Sequence, residues 1–283
     1  MSENGGGGRA AVIGGGTMGA GIAQVLLEAG CEVVVVEADA DAAERARARI
    51  AEGLGRRKDA APTEIEARTA RLRAVTGLTE PLDVELVVEA IPEFPDAKRD
   101  LLAAAEKVVP PTALLASNTS SLSITDLAGA LERPDRFLGM HFFNPVPLSA
   151  LVELVVGQAT TPAAVDDARA WIARLGKESI EVRDSPGFAT SRLGVALGLE
   201  AIRMLEEGVA SAADIDQGMV LGYRHPMGPL RLTDLVGLDV RLAIAEHLAA
   251  TLGPRFEPPA LLREKVAGGE LGKKTGRGFY DWS

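Results

Sequence analysis

The chain has 283 residues, of which 47% are hydrophobic and 25% are charged, a composition typical of a globular protein with a substantial core. Its net charge of −10 and its pI of about 5.0 argue against an unspecific binder of nucleic acid or of anionic membranes. The single cysteine, Cys31, excludes an internal disulfide and fits a reducing compartment, and no apolar run approaches the ~20 residues of a membrane span. The N-terminal stretch MSENGGGGRAA has no apolar segment, so we expect a flexible leader and a cytoplasmic protein.

A glycine-rich loop joins the first predicted strand to the first predicted helix. Residues 9–13 form a short apolar strand, GGGTMG follows directly, and an alanine-rich apolar helix and a second strand, CEVVVVE, come next. In this order of strand, loop, helix and strand, the spacing of the glycines has a physical explanation. Gly14 permits a tight turn, Gly16 lets the backbone approach a pyrophosphate, and Gly19 lets the helix approach the strand. A glycine-rich turn without a ligand is the less favoured alternative.

Glu37 closes the second predicted strand. A carboxylate at this position can accept hydrogen bonds from the adenosine ribose hydroxyls and would repel a 2′-phosphate, which favours NAD over NADP. The alternative role, a helix cap, is better filled by Asp39 and Asp41.

Residues 40–75 are predicted as two helices that are interrupted near Pro62. Between them Arg56, Arg57 and Lys58 form a basic cluster. Such clusters are more often solvated surfaces than binding sites, and a ligand phosphate is the functional alternative.

A further buried strand at residues 83–91 is followed by a helix at about 96–108. Glu93 and Lys98 lie just past the carboxyl end of that strand. Open α/β sheets bind ligands on this side, so both residues are candidates for the site.

A hydroxyl cluster, a histidine and a carboxylate follow on the next strands. The strand at 113–116 leads into SNTSS at 117–121, His141 begins HFFNP, and Glu153 lies in the apolar run LSALVELVV. A histidine can take up a proton near neutral pH, a buried carboxylate can orient its ring, and hydroxyls can bind the oxygen that loses the proton. Alone, His141 would be interpreted as a core histidine, and Glu153 as a carboxylate in an edge strand that faces water. Together they favour a general base that acts on an alcohol.

The pattern changes after a helix at 163–175 and a last strand at 179–182, because only helices are predicted from Pro186 onward. These helices are expected at residues 187–207, 212–221, 230–251 and 259–267. We place the domain boundary so that residues 1–185 form one domain and 186–283 a second. The first helix of the second domain has too many apolar positions for a solvated helix, and we expect it to contact the first domain and a partner chain. These positions are Leu193, Ala196, Leu197, Ile202 and Leu205.

Along almost its entire length the chain resembles the L-3-hydroxyacyl-CoA dehydrogenase family, in particular its bacterial 3-hydroxybutyryl-CoA dehydrogenases. The resemblance implies a Rossmann-type, mostly parallel sheet domain that binds NAD, followed by an all-α C-terminal domain for substrate binding and dimerisation. The matching phrases are VIGGGTMGAGIAQ, VVEAI-x-E, ASNTSSLSIT, RFLGMHFFNPV-x(4)-LVE, DSPGF, HPMGP-x(4)-D-x-VGLD and LGKKTGRGFYDW.

The resemblance also implies roles for particular residues. His141 would be the base that removes the hydroxyl proton, Glu153 would orient it, and Ser120 would bind the substrate oxygen and the cofactor. The implied NAD contacts are Gly14, Gly15, Gly16, Thr17, Met18, Gly19, Glu37, Glu93, Lys98, Ser120, Asn144 and Lys274.

The chain departs from the family pattern at two places. The family usually has Asn in PGF-x-x-N-R, where it binds the substrate carbonyl, and this chain has Ser191, a shorter donor that we keep among the catalytic residues. The family's usual serine and lysine for CoA align with Gly53 and Ala60. The basic cluster that begins at Arg56 could replace that lysine.

These observations predict reversible, NAD-dependent oxidation of a (3S)-3-hydroxyacyl-CoA in fatty-acid or related acyl metabolism, by a homodimer. The substrate is an acyl-CoA, and we expect neither a metal nor a nucleic acid or membrane partner. Two alternatives stay open. One is a dehydrogenase of a free hydroxy acid or sugar acid, like the gulonate dehydrogenases, and the other is a non-catalytic, crystallin-like protein. Ser120, His141 and Glu153 argue against the second alternative, while Ser191 keeps it open.

Overall fold

The structure, a computed structural model, describes residues 7–56 and 61–283. Arg57, Lys58 and Ala60 therefore lie outside the described residues. The chain divides into two compact units, Met1–Asp184 and Ser185–Ser283. No helix in the described ranges has both the length and the apolar character that a membrane crossing requires.

The first unit is built on one sheet of eight strands. They are β1 (Arg9–Ile13), β2 (Glu32–Glu37), β3 (Leu72–Thr76), β4 (Leu86–Glu89), β5 (Leu114–Ser117), β6 (Phe137–Phe142), β7 (Leu151–Val156) and β8 (Glu178–Arg183). Their order across the sheet is β3-β2-β1-β4-β5-β6-β7-β8. Every neighbouring pair is parallel except β6 and β7, which are antiparallel. This arrangement confirms the predicted α/β class with a mostly parallel sheet.

The helices of the first unit are α1 (Thr17–Glu28), α2 (Ala40–Gly55), α3 (Pro62–Thr69), α4 (Pro95–Val108), α5 (Ile124–Ala128) and α6 (Pro162–Arg174). Helix α1 is the most deeply buried of them along its length, with Ile22, Leu26 and Leu27 without solvent contact. Cys31 lies in the same core, and its burial raises the pKa of the thiol. A core of this kind holds the glycine loop and α1 rigidly at the carboxyl ends of the central strands.

The prediction of two helices throughout residues 40–75 is wrong at its C-terminal end. After α3 the chain forms β3, which pairs in parallel with β2 at the edge of the sheet. Of its five residues only Leu72 is buried. An edge strand has one neighbour and partly faces solvent, so its sequence, LRAVT, lacks the apolar run that marks the central strands.

The second unit consists of helices: α7 (Thr190–Glu206), α8 (Ala212–Gln217), α9 (Pro229–Val236), α10 (Leu238–Leu252) and α11 (Ala260–Ala267). The single helix predicted at residues 230–251 is wrong, because it is divided at Gly237. The φ angle of Gly237 is +104°, which a right-handed helix cannot contain. The helix predicted at 212–221 ends its α-helical part at Gln217 and continues as a wider π-helical turn at Gly218–Gly222.

Asp234, which is 1% exposed, holds the C-terminal segment against α9. Its carboxylate accepts hydrogen bonds from the backbone N–H groups of Phe279 and Tyr280 at 2.8 and 2.9 Å, and from Trp282 Nε1 at 2.8 Å. Hydrogen bonds to an ionised group are stronger than neutral ones, so they compensate for burying the carboxylate.

Candidate active site

The glycine loop has the geometry of a phosphate-binding turn. The φ angle of Gly14 is +94°, and its N–H donates to the carbonyl of Val36 at 2.9 Å. A Cβ on Gly19 would lie 1.7 Å from the Gly14 carbonyl oxygen, whereas a Cβ on Gly16 would meet nothing within 4 Å. Helix α1 begins at Thr17, and its N-cap residue, Gly16, has no side chain to bond the first backbone N–H groups of the helix. The positive end of the helix and an open stretch of backbone therefore lie where a pyrophosphate can bind.

A cleft of about 480 Å³ adjoins this loop. Glu37 lies in it, and its Oε1 accepts a hydrogen bond from the Gly15 N–H at 2.5 Å. Arg49 Nη1 donates to the Gly15 carbonyl at 2.6 Å, and Arg45 also lines the cleft. The sequence analysis missed both arginines. Their i, i+4 spacing on α2 places them on one helix face, which is the signal that could have found them.

Glu93 and Ser120, which are distant in sequence, are brought together past the ends of β4 and β5. Glu93 Oε1 accepts hydrogen bonds from the Ser120 N–H at 2.8 Å, from Thr119 Oγ1 at 3.0 Å and from Ser120 Oγ at 3.4 Å. Glu93 is itself exposed. Its carboxylate therefore fixes the loop that carries Ser120 at the open edge of the sheet.

Lys98 is buried rather than open to a ligand, with only 1% of its side chain exposed. Its ammonium donates to Glu89 Oε1 at 2.6 Å and to the Ile91 carbonyl at 3.0 Å, and it lies 3.3 Å from Glu93 Oε2. The second carboxylate oxygen of Glu89 accepts from Ser117 Oγ at 2.5 Å. Lys98 thus joins a buried carboxylate to the exposed Glu93, a position suited to holding Glu93 in place.

Glu89 is a residue that the sequence analysis did not single out. It has no solvent contact, and it also accepts a hydrogen bond from the Ile91 N–H at 2.7 Å. A carboxylate in the buried strand LVVE is costly unless donors surround it. A glutamate in an otherwise apolar strand was therefore the signal by which the sequence could have indicated Glu89.

His141 and Glu153 lie directly opposite each other on the antiparallel strands β6 and β7. Opposed residues of such a pair have their side chains on the same face of the sheet. His141 Nδ1 and Glu153 Oε2 are joined by a hydrogen bond of 2.7 Å. Glu153 is without solvent contact and His141 is 7% exposed, with the Phe143 ring 4.5 Å from the imidazole between centroids. The carboxylate favours the proton on Nδ1, so the neutral ring has its lone pair on Nε2, as a general base requires.

A second cleft, of about 570 Å³, lies beside α1 and α2 and is also lined by residues 144–148. Asn144 is exposed at its edge. Gly53 lines the cleft, and a Cβ there would lie 2.4 Å from Gln24 Oε1. Gln24 Nε2 donates to the Gly53 carbonyl at 3.2 Å, so a side chain at position 53 would require the Gln24 amide to move. Arg56 also lines the cleft and forms an exposed ion pair with Glu52.

Ser191 and Lys274 belong to the second unit. Ser191 is partly exposed in the first turn of α7. Lys274 Nζ donates to both carboxylate oxygens of Asp239, at 2.5 and 2.6 Å. Burial acts to raise the pKa of Asp239, but the hydrogen bond and the charge of Lys274, together with backbone N–H groups, outweigh it and hold that pKa below its ordinary value.

The class of protein follows from three features of this mostly parallel sheet. They are the glycine loop between β1 and α1, the carboxylate at the end of β2 and the buried His–Glu pair, and together they define a dinucleotide-dependent dehydrogenase. Comparison with known proteins identifies the family. Residues 9–185 match the "3-hydroxyacyl-CoA dehydrogenase, NAD binding domain", and residues 187–282 match the "3-hydroxyacyl-CoA dehydrogenase, C-terminal domain". The chain belongs to the 3-hydroxyacyl-CoA dehydrogenase family, and its cofactor is NAD.

Individual relatives are similar over nearly the full length. A probable 3-hydroxybutyryl-CoA dehydrogenase of Bacillus subtilis is 42% identical over 275 residues, which cover 96% of each chain. The crystal structure of the (S)-3-hydroxybutyryl-CoA dehydrogenase PaaH1 from Ralstonia eutropha has a TM-score of 0.92 at 41% identity, and the match covers 97% of this chain and 99% of that one. FadB2 of Mycobacterium tuberculosis has a TM-score of 0.91 at 42% identity, with 98% and 100% covered.

The buried pair of Glu89 and Lys98 generates a prediction on stability. Lys98→Met leaves the Glu89 carboxylate buried without its cation, so we expect the free energy of unfolding to fall by about 3 to 5 kcal/mol. In the double variant Glu89→Gln/Lys98→Met neither of the two positions carries a charge, and the loss should be clearly smaller than the sum of the two single losses. Urea unfolding of the four proteins measures this coupling.

Arg99→Met is the matched control, because the ion pair of Arg99 with Asp96 lies at the surface. Its loss should therefore cost little stability. Strictly additive losses for Glu89→Gln and Lys98→Met would contradict the coupling.

Proposed function

We propose that the chain oxidises a (3S)-3-hydroxyacyl-CoA reversibly to the 3-oxoacyl-CoA, with His141 and Glu153 as its general base. The observation that carries this proposal is the 2.7 Å hydrogen bond between His141 Nδ1 and Glu153 Oε2, formed where one partner has no solvent contact. The names of the relatives support 3-hydroxybutyryl-CoA as a substrate.

In the proposed reaction His141 Nε2 takes the proton of the 3-hydroxyl group, and Glu153 stabilises the imidazolium that results. Bound NAD supplies the acceptor for the hydride that leaves carbon 3. The Ser120 hydroxyl donates a hydrogen bond to the substrate oxygen and keeps its own proton, and Glu93 holds the backbone of Ser120 in place. A general base placed in this way contributes about 10²- to 10⁴-fold to the rate.

The proposed cofactor site follows the glycine loop. The amides at the start of α1 would bind the pyrophosphate, and Glu37 would accept hydrogen bonds from the adenosine ribose. Lys98 would act through Glu93, since its own ammonium is buried among protein groups. Contacts from Asn144 and Lys274 to the cofactor stay predictions.

For the CoA carrier we propose the 570 Å³ cleft beside α1 and α2. Its two arginines, Arg49 and Arg56, offer the positive charge that the phosphates of CoA require. Gly53 stands where the family usually has a serine, and Gln24 occupies the space that such a side chain would need. The carrier would then be held by guanidinium groups on α2 and at its C-cap in this chain.

We also propose a homodimer formed through the helical unit. Several large apolar side chains of that unit are more than a third exposed, which is unusual unless a partner covers them. They are Leu193, Val209, Leu221, Tyr223, Leu232, Leu235, Val236 and Val240. Light scattering that gives only the mass of one chain, 29.6 kDa, would contradict a dimer. A cytoplasmic location stays a prediction.

Turnover of acetoacetyl-CoA tests the proposed reaction and its carrier together. NADH oxidation should be fast with acetoacetyl-CoA and at least about 100-fold slower, as kcat/KM, with free acetoacetate, because the binding energy of the carrier is used in the transition state. Equal rates with the free acid would instead favour a dehydrogenase of free hydroxy acids. Tight NADH binding with no turnover of either compound would favour a non-catalytic protein.

Glu37→Ala tests the account of cofactor preference. The substitution removes the carboxylate that would repel a 2′-phosphate, and it leaves Arg45 and Arg49 in the same cleft. We therefore expect the ratio of kcat/KM for NADH over NADPH to fall by at least about tenfold. Asp41→Ala, in the first turn of α2, is the control and should leave the ratio unchanged. A ratio in Glu37→Ala equal to that of the wild type would refute the role of Glu37.

A further inference from the structure

Helix α2 and its C-cap carry a row of three arginines on one face. Arg45 precedes Arg49 by four positions, and Arg56 follows Arg49 by seven. At 3.6 residues per turn both spacings bring the side chains back to nearly the same side of the helix. The row runs past the two clefts of the first unit. We call the 480 Å³ cleft at the glycine loop the cofactor cleft and the 570 Å³ cleft beside α1 and α2 the carrier cleft.

The three arginines are divided between these two clefts. Arg45 lines the cofactor cleft, Arg56 lines the carrier cleft, and Arg49 lines both. Thr17, the first residue of α1, also lines both clefts. The two clefts therefore meet at Arg49 and Thr17, and a ligand in either one borders the same guanidinium.

Arg49 is held by the protein at one point. Its Nη1 donates to the Gly15 carbonyl at 2.6 Å, and the residue is otherwise exposed. Across the described ranges of the chain this is the only hydrogen bond of its side chain, and no ion pair accompanies it. A guanidinium offers several N–H donors in a fixed fork, so most of them remain available to phosphate oxygens.

The anchor of Arg49 is part of the phosphate-binding loop itself. Gly15 is buried, its N–H donates to Glu37 Oε1 at 2.5 Å, and its carbonyl accepts from Arg49. Both polar groups of this residue are thus held by charged side chains of opposite sign. An anion that fixes Arg49 from the side of the carrier cleft would also fix the carbonyl of the loop that faces the cofactor.

The mobility of Arg49 decides whether the two ligands influence each other. A rigid charge would attract each ligand independently of the other. A long side chain with one anchor loses rotamer freedom when a ligand orders it, and this loss reduces the affinity for that ligand. The second ligand meets an arginine that is already ordered, so it binds more tightly than it would alone.

We propose that Arg49 is a binding residue shared by both sites and that it couples them. NADH or NAD in the cofactor cleft raises the affinity of the carrier cleft for the phosphates of CoA, and CoA raises the affinity for the cofactor by the same factor. The inference rests on the proposed function, because both ligands belong to that reaction.

The test measures the Kd of NADH by fluorescence, without CoA and with saturating CoA. CoA carries no oxo group that NADH could reduce, so no turnover disturbs the titration. In the wild type we expect CoA to lower the Kd of NADH by at least about threefold, because Arg49 is ordered only once. The Kd of CoA, measured by calorimetry, should fall by the same factor when NADH is present.

Arg49→Met should bring this factor close to one. Arg49→Lys keeps the charge but lacks the planar fork that can hold the Gly15 carbonyl and a phosphate together, so its factor should lie between the two. Each factor compares a protein with itself at two ligand concentrations. A partial loss of stability in a variant would therefore not imitate the effect.

Arg45→Met and Arg56→Met are the matched controls, because each removes an arginine that lines one of the two clefts. Either may weaken its own ligand, but both should keep the wild-type coupling factor. An unchanged or higher Kd of NADH in the presence of bound CoA would overturn this inference alone. A wild-type factor retained in Arg49→Met would also overturn it. Failure of CoA to bind at all would overturn the proposed carrier together with this inference.

Discussion

Two carboxylates without solvent contact, Glu89 and Glu153, determine how the polar groups of the first unit are arranged. Each lies in a strand of the central sheet, where an unpaired charge would be costly. Glu89 is satisfied by Lys98, Ser117 and a backbone amide, and Glu153 by His141. The buried charges thereby fix the positions of the groups that the proposed reaction uses.

The two carboxylates have different consequences. Glu153 acts directly on the imidazole, because the antiparallel register of β6 and β7 places it opposite His141. Glu89 acts at a distance, through Lys98 and then Glu93, which accepts the hydrogen bond of the Ser120 amide. One carboxylate orients the proposed base and the other supports the loop that would hold the substrate oxygen. Both lie on strands, so the site depends on the sheet more than on loop conformation.

Much of the first unit could be predicted from sequence, because its signals are local. The glycine spacing after β1, the apolar central strands and the carboxylate at Glu37 each depend on residues close in the chain. The edge strand β3 could not be predicted in this way, since it is only partly buried. The break at Gly237 was also hidden, because glycine occurs in loops and helices alike and only the φ angle of +104° shows which applies.

In the candidate site, too, the types of the residues could be predicted from sequence, whereas their contacts could not. His141 and Glu153 could be selected by residue type, but their hydrogen bond depends on strand register, which the sequence does not state. The burial of Lys98 depends on Glu89, a pairing between a strand and the following helix.

The most direct test of the central claim is the rate of the chemical step in His141→Ala, followed in single turnovers of acetoacetyl-CoA with bound NADH. The account predicts that the rate falls by at least about 10²-fold. The Kd of NADH, measured by fluorescence, should change little, because no part of the imidazole is assigned to cofactor binding. A rate close to that of the wild type in the folded variant would contradict the account. It would mean that a group other than His141 transfers the proton to and from the substrate oxygen.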